Sequence, residues 1–351
     1  MVHLWLRSES RGNEQRAGLT PEGTRHLRAG GFRITVEDSP HRILPTADYA
    51  AAGAEIAAPG SWSEAPADAI VFGLKELPPG GALVHRHIMF GHAFKGQPAG
   101  QALLRRFRDG GGRLLDLEYL TDDSGRRLAA FGHWAGFAGA AVSLKAWAAQ
   151  RRGTICGPVA AWPTQEQLKA ELRAELDATG APRPRALVIG ALGRVGGGAL
   201  ELLTAMGVQA TRWDMAETAG GGPFPQVLAH ELFINCILAG PQTPVFVAPN
   251  AVEPGRLLTV IGDVACDPSS DFNPVQVYDR VTDWAQPVTR VAEAPPLDVM
   301  AIDNLPSLLP RESTLDYAAQ LLPVLGELDR GGPGPWARAE ATFAAHLARL
   351  D

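Results

Sequence analysis

At 351 residues, with 46% hydrophobic and 20% charged side chains, the chain is long enough for two domains and has the composition of a soluble globular enzyme. A formal net charge of −6, with no long Lys/Arg run, argues against nucleic acid or an anionic membrane as a partner. Its three scattered cysteines, Cys156, Cys236 and Cys266, make neither a disulfide framework nor a paired zinc motif, and no apolar run approaches ~18 residues, so a cytoplasmic protein without metal is expected.

The first third alternates strand and helix patterns. Residues 2–7 read as a strand, and Thr20-Pro21 then opens a helix that Gly30-Gly31 closes. A strand at 33–37 and a helix around 47–56 follow, then two short apolar runs at 69–74 and 86–91 that suit buried strands. A helix near 99–108 and a strand near 113–120 complete a unit expected to hold a parallel sheet. Residues 134–150 form a long helix rich in small residues, suited to close packing between two domains. The stretch 151–163 reads as loop and 164–178 as a charged amphipathic helix. A second alternating unit runs from Arg185 to about 304, and the tail at 313–350 is helical, broken at 331–335 and able to fold back on the first domain.

The strongest local signal is ALVIGALGRVGGGALELL at 186–203. Four apolar residues lead into Gly190, Gly193, Arg194, Val195 and Gly196, a strand, glycine turn and helix start of the kind that receives a pyrophosphate. The spacing G-x-x-G-x-x-G departs from the usual dinucleotide fingerprint. A strand-like ATRW ends at Asp214, placed to hold adenosine ribose hydroxyls and to repel a 2′-phosphate, which favours NAD over NADP, although Arg212 lies close by. Later strand ends at Cys236 and Asp263 would line the same crevice. The plainer alternative is that these glycines only permit tight packing and that Asp214 is a solvated strand end.

Lys75 in GLKEL and His92 in HIMFGHAFK stand at the ends of two apolar strands. A lysine acts as a base only where its charge is disfavoured, whereas histidine exchanges protons near neutrality without much tuning. Alternation sets Glu76 on the face opposite Lys75 unless the strand ends there, and Glu118 closes a third apolar run. Arg16, Lys95 and the Arg126–Arg127 pair beside Phe131 could clamp substrate carboxylates. Taken one at a time, each is equally a solvated terminus or a surface ion pair.

Together, however, the segments RAGLTPEG, FRITVEDSP, IVFGLKELP, FGHAFKGQ, LDLEYL, GRRLAAFG, VIGALGRVGGGA, WDMAET, FINCIL and AIDNLPSLLPRE resemble the NAD-dependent, lysine-forming saccharopine dehydrogenases. These share the fold of alanine dehydrogenase and of the transhydrogenase NAD-binding subunit. The resemblance implies an α/β protein in which two Rossmann-like domains with parallel sheets flank a central cleft and the C-terminal helices return to the first domain. It places the substrate domain at 1–133 plus 319–351 and the NAD-binding domain at 134–318. It further implies NAD as cofactor, an amino acid and a 2-oxo acid as substrates, and Lys75 and His92 as the acid–base pair. Glu76 and Glu118 match the family's modulating glutamates, while Arg16 and one of Arg126 and Arg127 match its carboxylate arginines. Asp214 matches its ribose aspartate, and Asp303 an aspartate near the catalytic histidine.

There are departures from the family pattern. Val195 stands where the family has a cysteine, which removes a regulatory disulfide with Cys236; His133-Trp134 replaces an aromatic and apolar pair; and 265–290 matches only loosely. A same-fold enzyme for another amine and oxo-acid pair, and a non-catalytic NAD-binding subunit, are the two rival readings. The oligomeric state, monomer or homodimer, is left open.

Overall fold

The structure, a computed structural model, describes residues 1–328, 330 and 332–350. The chain divides into two compact units: Met1–Ala130 together with the segment from Pro310 onward, and Phe131–Leu309.

The first unit opens with β1 (His3–Leu6), α1 (Pro21–Ala29), β2 (Arg33–Glu37), α2 (Thr46–Ala51) and β3 (Glu55–Ala57). It continues with β4 (Ile70–Phe72), β5 (Arg86–Met89), α3 (Pro98–Gly110) and β6 (Arg113–Asp116). The sheet is wholly parallel in the order β3-β2-β1-β4-β5-β6. As expected, Thr20 caps α1, its hydroxyl accepting from Gly23 N at 3.0 Å, with Pro21 in the first turn.

Several elements are shorter than the sequence suggests, and for two of them the cause is local. The helix expected over 47–56 stops at Ala51, because the chain turns at Gly53 (φ +91°) into the edge strand β3. The strand expected over 113–120 ends at Asp116, whose carboxylate accepts from Glu118 N at 2.9 Å and folds 117–119 into a single 3₁₀ turn.

The second unit contains α4 (Gly132–Arg151), α5 (Gln165–Asp177), β7 (Ala186–Ile189), α6 (Arg194–Ala205), β8 (Ala210–Trp213) and α7 (Met215–Thr218). After these come α8 (Pro225–Leu228), β9 (Leu232–Asn235), β10 (Val260–Asp263), β11 (Thr289–Glu293) and β12 (Pro296–Met300). Its sheet runs β11-β12-β10-β9-β7-β8, parallel throughout except that β11 pairs antiparallel with β12. The small-residue helix α4, expected to pack between two domains, belongs to this unit and packs on α6, where glycines replace side chains. A Cβ on Gly136 would fall 1.8 Å from the Val195 carbonyl oxygen, and one on Gly198 1.8 Å from that of His133.

The chain then returns to the first unit through α9 (Pro310–Leu325) and α10 (Pro335–Leu347). The crossing therefore precedes Pro310 rather than falling at 318/319, because α9 is one continuous helix tied to the first unit. Thr314 accepts from Ala17 N at 3.1 Å, and Gln320 brackets the Ala130 peptide. On α10, Phe343 packs edge-on against Phe107 of α3. Of the Gly/Pro-rich break at 331–335, Gly331 lies outside the described residues. No helix among the described residues is long and apolar enough to cross a membrane.

Candidate active site

In the first unit three neighbouring parallel strands deliver chemistry at their carboxyl ends. The Leu74 carbonyl accepts from Phe90 N at 3.0 Å, so Lys75 and His92 emerge just past adjacent strand ends, with Glu118 two residues beyond β6. This is where ligands sit on open parallel sheets.

His92 adopts φ +48°, a left-handed backbone uncommon outside glycine. Asp116, 1% exposed, accepts from both Gly91 N (3.2 Å) and Glu118 N (2.9 Å), so one buried carboxylate fixes the backbone beside both His92 and Glu118. Burial pushes the Asp116 carboxyl up to about 6, against the Glu118 N–H and with the Glu118 charge adding to the rise. Glu118 lies 3.7 Å from His92 Nδ1 and 3.2 Å from Lys95 Nζ. The His92 imidazole, and then Lys95, pull its carboxyl down to about 2 although partial burial opposes them. Glu118 is thus a fixed anion between two exposed donors.

Glu76 is brought back toward the site, because β4 ends at Phe72 and strand alternation no longer applies. It accepts from Arg11 Nε at 2.5 Å. Burial alone would raise its carboxyl, but its own backbone N–H, Arg11 and the Lys75 charge together hold it below the usual range. A cavity of about 710 Å³ opens beside Glu76 and His92, walled by Arg11, Gly91, Gly100 and Arg106.

Arg16 is buried rather than splayed into solvent. Its Nε and one Nη donate to Glu14 at 2.8 and 2.7 Å. Burial would raise the Glu14 carboxyl, yet Arg16, with a further contribution from Lys75, holds it low. Both Arg16 and Arg127 act on the buried Tyr317 hydroxyl, whose pKa burial raises and the two guanidinium charges lower. Arg127, rather than Arg126, therefore shares its surroundings with Arg16, while the Arg126 backbone N–H is spent on a turn with Asp122. Glu14, Asp116 and Tyr317 were not anticipated from sequence. Only Tyr317 had a signal, an aromatic in a helix expected to fold back.

In the second unit the glycine turn joins β7 to α6. Gly190 has φ +87°, and a Cβ on Gly196 would lie 2.2 Å from the Gly190 carbonyl oxygen, so helix and turn approach as only glycine allows. Gly193 caps α6 without a side chain, and Arg194 and Val195 form its first turn. Asp214 at the end of β8 accepts from Leu192 N at 2.9 Å and from Met215 N at 3.0 Å, which ties the acid to the turn. Next to it a cavity of about 700 Å³ is lined by Met215, Thr218, Ile237, Leu238 and Phe246. An open glycine cradle at a 12-residue helix start, an acid at the next strand end and an apolar slot beside it fit a dinucleotide's pyrophosphate, ribose and adenine.

Cys236 follows β9, with its carbonyl 3.0 Å from where a Gly190 Cβ would stand. All three cysteines are free. At the β10 end expected to line the crevice, the Asp263 side chain is turned inward. It is 1% exposed and accepts from Asn235 Nδ2 (2.9 Å), Cys266 N (3.2 Å) and Tyr278 OH (2.8 Å), so it fixes the loop after β10. Asp303, just past β12, is exposed, and its charge is felt at Cys266. Phe131 precedes α4 and belongs to the second unit. His133 pairs with Glu201 at 3.4 Å, and Trp134 is buried beside Phe137.

Two doubly wound, mainly parallel sheets with these strand-end groups define the alanine dehydrogenase and transhydrogenase class of fold. An L-alanine dehydrogenase structure superposes with a TM-score of 0.70 at 19% identity, covering 98% of this chain and 94% of that one. A transhydrogenase from Sinorhizobium meliloti gives 0.58 at 16% identity, covering 93% and 94%. The alanine dehydrogenase/PNT N-terminal domain family matches residues 5–138. Saccharopine dehydrogenases [NAD(+), L-lysine-forming] are far nearer in sequence. That of Candida albicans is 42% identical over 100% of this chain and 98% of its own length, and that of Candida glabrata 43% over 99% and 98%. That of Schizosaccharomyces pombe is 39% identical over 99% of each. The chain belongs to the saccharopine dehydrogenase family of NAD-dependent oxidoreductases.

Proposed function

We propose that the protein interconverts saccharopine, or a closely similar secondary-amine dicarboxylate, with lysine and 2-oxoglutarate, using NAD. The observation that carries this reading is the delivery of Lys75, His92 and Glu118 by three consecutive strands of one sheet, with the buried Arg16–Glu14 pair in the same unit. Bound NAD supplies the acceptor for hydride from the carbon bearing the secondary amine. Asp214 would take the adenosine ribose, and the N–H groups at the start of α6 the pyrophosphate.

In the oxidative direction Lys75 Nζ, as the free amine, takes the proton from the secondary amine as the carbon–nitrogen bond gains double-bond character. Lys75 then returns that proton to the imine nitrogen while His92 accepts one from water as its oxygen adds to the imine carbon, forming a neutral carbinolamine. As that species collapses, the protonated His92 gives its proton to the amine nitrogen, the carbon–nitrogen bond breaks, and the hydroxyl proton passes to Lys75, so that amino acid and 2-oxo acid separate. Glu118, Glu76 and Glu14 set the electrostatic field in which these protons move, and Arg16 with Arg127 orients the oxo-acid carboxylates. Phe131, Lys95, Cys236 and Asp303 are assigned to the margins of the substrate and cofactor sites.

The test is reductive coupling of lysine with 2-oxoglutarate by the purified protein, followed by loss of NADH absorbance, with a panel of other amines and oxo acids alongside. Lys75→Met and His92→Gln should each lower turnover by about 10²- to 10⁴-fold. Turnover near the parental level in both variants removes the acid–base assignment. Preference for another pair in the panel moves the substrate but not the reaction class. NADH binding with no turnover of any pair leaves a binding subunit.

A further inference from the structure

Lys75 lies in neither a helix nor a strand: β4 ends at Phe72, and the chain from Gly73 to His85 has no regular structure. A four-carbon side chain on such a loop is a poor instrument for proton transfer unless its backbone is fixed, because the stem is flexible and loops wander. What fixes it is unusual. The last backbone rung between β1 and β4 is Arg7 N to the Phe72 carbonyl, 2.9 Å. Beyond it, two side chains from the chain past β1 take over from the ladder.

The Glu9 carboxylate accepts from Leu74 N at 2.6 Å and from Lys75 N at 3.1 Å, while the Arg7 guanidinium donates from Nη2 to the Lys75 carbonyl oxygen. Arg7 Nη1 and Glu9 Oε2 are 3.2 Å apart, with side chains only 1% and 9% exposed. The Arg7 carbonyl, which a continuing ladder would use, accepts instead from Arg42 Nη2 at 3.3 Å. Gly73 leaves room for this arrangement, since a Cβ there would lie 2.4 Å from Arg7 Nε and 2.5 Å from its Cζ.

We infer that Arg7 and Glu9 are positioning residues that hold Lys75 by its amide on one side and its carbonyl on the other, aiming the amine at the reacting nitrogen. This rests on the acid–base reading of Lys75 given above. Stability alone does not account for the pair. Burying an arginine and a glutamate costs desolvation that well-packed apolar residues avoid, and Arg7 Nε has no hydrogen-bond partner among the described residues. The compensation is geometric, in that two fixed charges grip the backbone that carries a third.

The experiment is a double-mutant cycle. Glu9→Gln, Arg7→Gln and Gly73→Ala are each made in the parent and in Lys75→Met, and single-turnover rate, KM for the oxo acid and NADH affinity are measured. Gly73→Ala keeps both clamp side chains but displaces the guanidinium, and Glu9→Gln keeps the clamp's shape, so the cycle stands if Arg7→Gln does not fold. A misplacement of about 1 Å costs on the order of 100-fold, so each variant is expected to lose about 10- to 100-fold in rate with NADH affinity unchanged. In the Lys75→Met background the same substitutions should cost nothing further. Equal fractional losses in both backgrounds, or parental rates for Glu9→Gln and Gly73→Ala, overturn the clamp while leaving Lys75 in its role. Near-parental turnover of Lys75→Met alone overturns the acid–base reading, and the clamp's purpose with it.

Discussion

The Glu14 carboxylate meets the Arg16 guanidinium in a paired arrangement of 2.8 and 2.7 Å, with the two side chains 0% and 4% exposed. Such a fork fixes the plane of the arginine before any substrate arrives. It also makes Arg16 dependent on its partner, since a buried guanidinium without its anion is an uncompensated charge. Glu14→Gln should therefore destabilise the fold by about 3 kcal/mol, read as a lower denaturant midpoint with an unchanged slope. It also removes a negative charge acting on Lys75, so the acid-side limb of the oxidative pH–rate profile, where the free amine is needed, should move to lower pH. An unchanged midpoint would show that the pair is not sealed from water as the geometry has it.

Asp116 carries a pH signature of the opposite kind from a salt-bridged acid. Its carboxyl is raised from 3.8 to about 6, burial being the first cause. Between those values the folded protein holds more protons than the unfolded chain. The contribution is thus most favourable below the lower value and is lost as pH rises toward the upper one. Asp116→Asn removes this slope. It also adds a pH-independent penalty, because an amide has one acceptor oxygen for the two N–H groups of Gly91 and Glu118. Thermal midpoints of parent and variant between about pH 4 and about pH 7 should converge as pH rises to about 6 and stay parallel beyond it. Parallel curves throughout would mean that the carboxyl is ionised across the range.

The sheets and the glycine turn were legible because their signals are local and periodic: apolar runs at 69–74 and 186–189, Thr20-Pro21 before α1, and an acid at the end of β8. The chain turns that shortened α2 and β6 were not. One depends on Gly53, where the Arg28 guanidinium fills the space a Cβ would need, and the other on the Asp116 side chain folding back on its own backbone. At the proposed site, Lys75 and His92 stand out in the sequence as residues just past apolar strands, but the side chains that hold the backbone around them do not. Glu14, Glu9 and Asp116 act through backbone and buried partners 2 to 66 residues away, and a carboxylate in a loop or at a strand end carries no mark of burial. The inward turn of the Asp263 side chain is hidden for a similar reason, since its donors come from three separate segments.

The α4–α6 contact of the second unit tolerates little. Gly198→Ala would put a methyl group 1.8 Å from the His133 carbonyl oxygen, a backbone atom that cannot swing aside. Overpacking of this kind costs about 1 to 3 kcal/mol, or a thermal midpoint lower by several degrees for a unit of this size. Gly197→Ala on the neighbouring position meets nothing within 4 Å and should be neutral or slightly stabilising, since alanine favours a helix over glycine. Equal midpoints for the two variants would show that the helices separate easily.

Asp214, the proposed ribose acceptor, also holds the shape of the glycine turn. Its Oδ2 accepts from Leu192 N inside the glycine loop, and its backbone N–H donates to Glu217 in a capping box that starts α7. On the proposed reading Asp214→Ala therefore takes away a ribose acceptor together with a loop anchor. A hydrogen bond to a charged group is worth about 1.5 to 3 kcal/mol, so NADH should bind on the order of 10- to 100-fold more weakly. The negative charge that would repel a 2′-phosphate also disappears while Arg212 remains exposed, so NADPH should lose less affinity than NADH or gain some. Titrations of both cofactors by fluorescence give the ratio directly. A ratio identical to the parent's would mean that the carboxylate serves only as a cap and that cofactor choice is made elsewhere on the second unit.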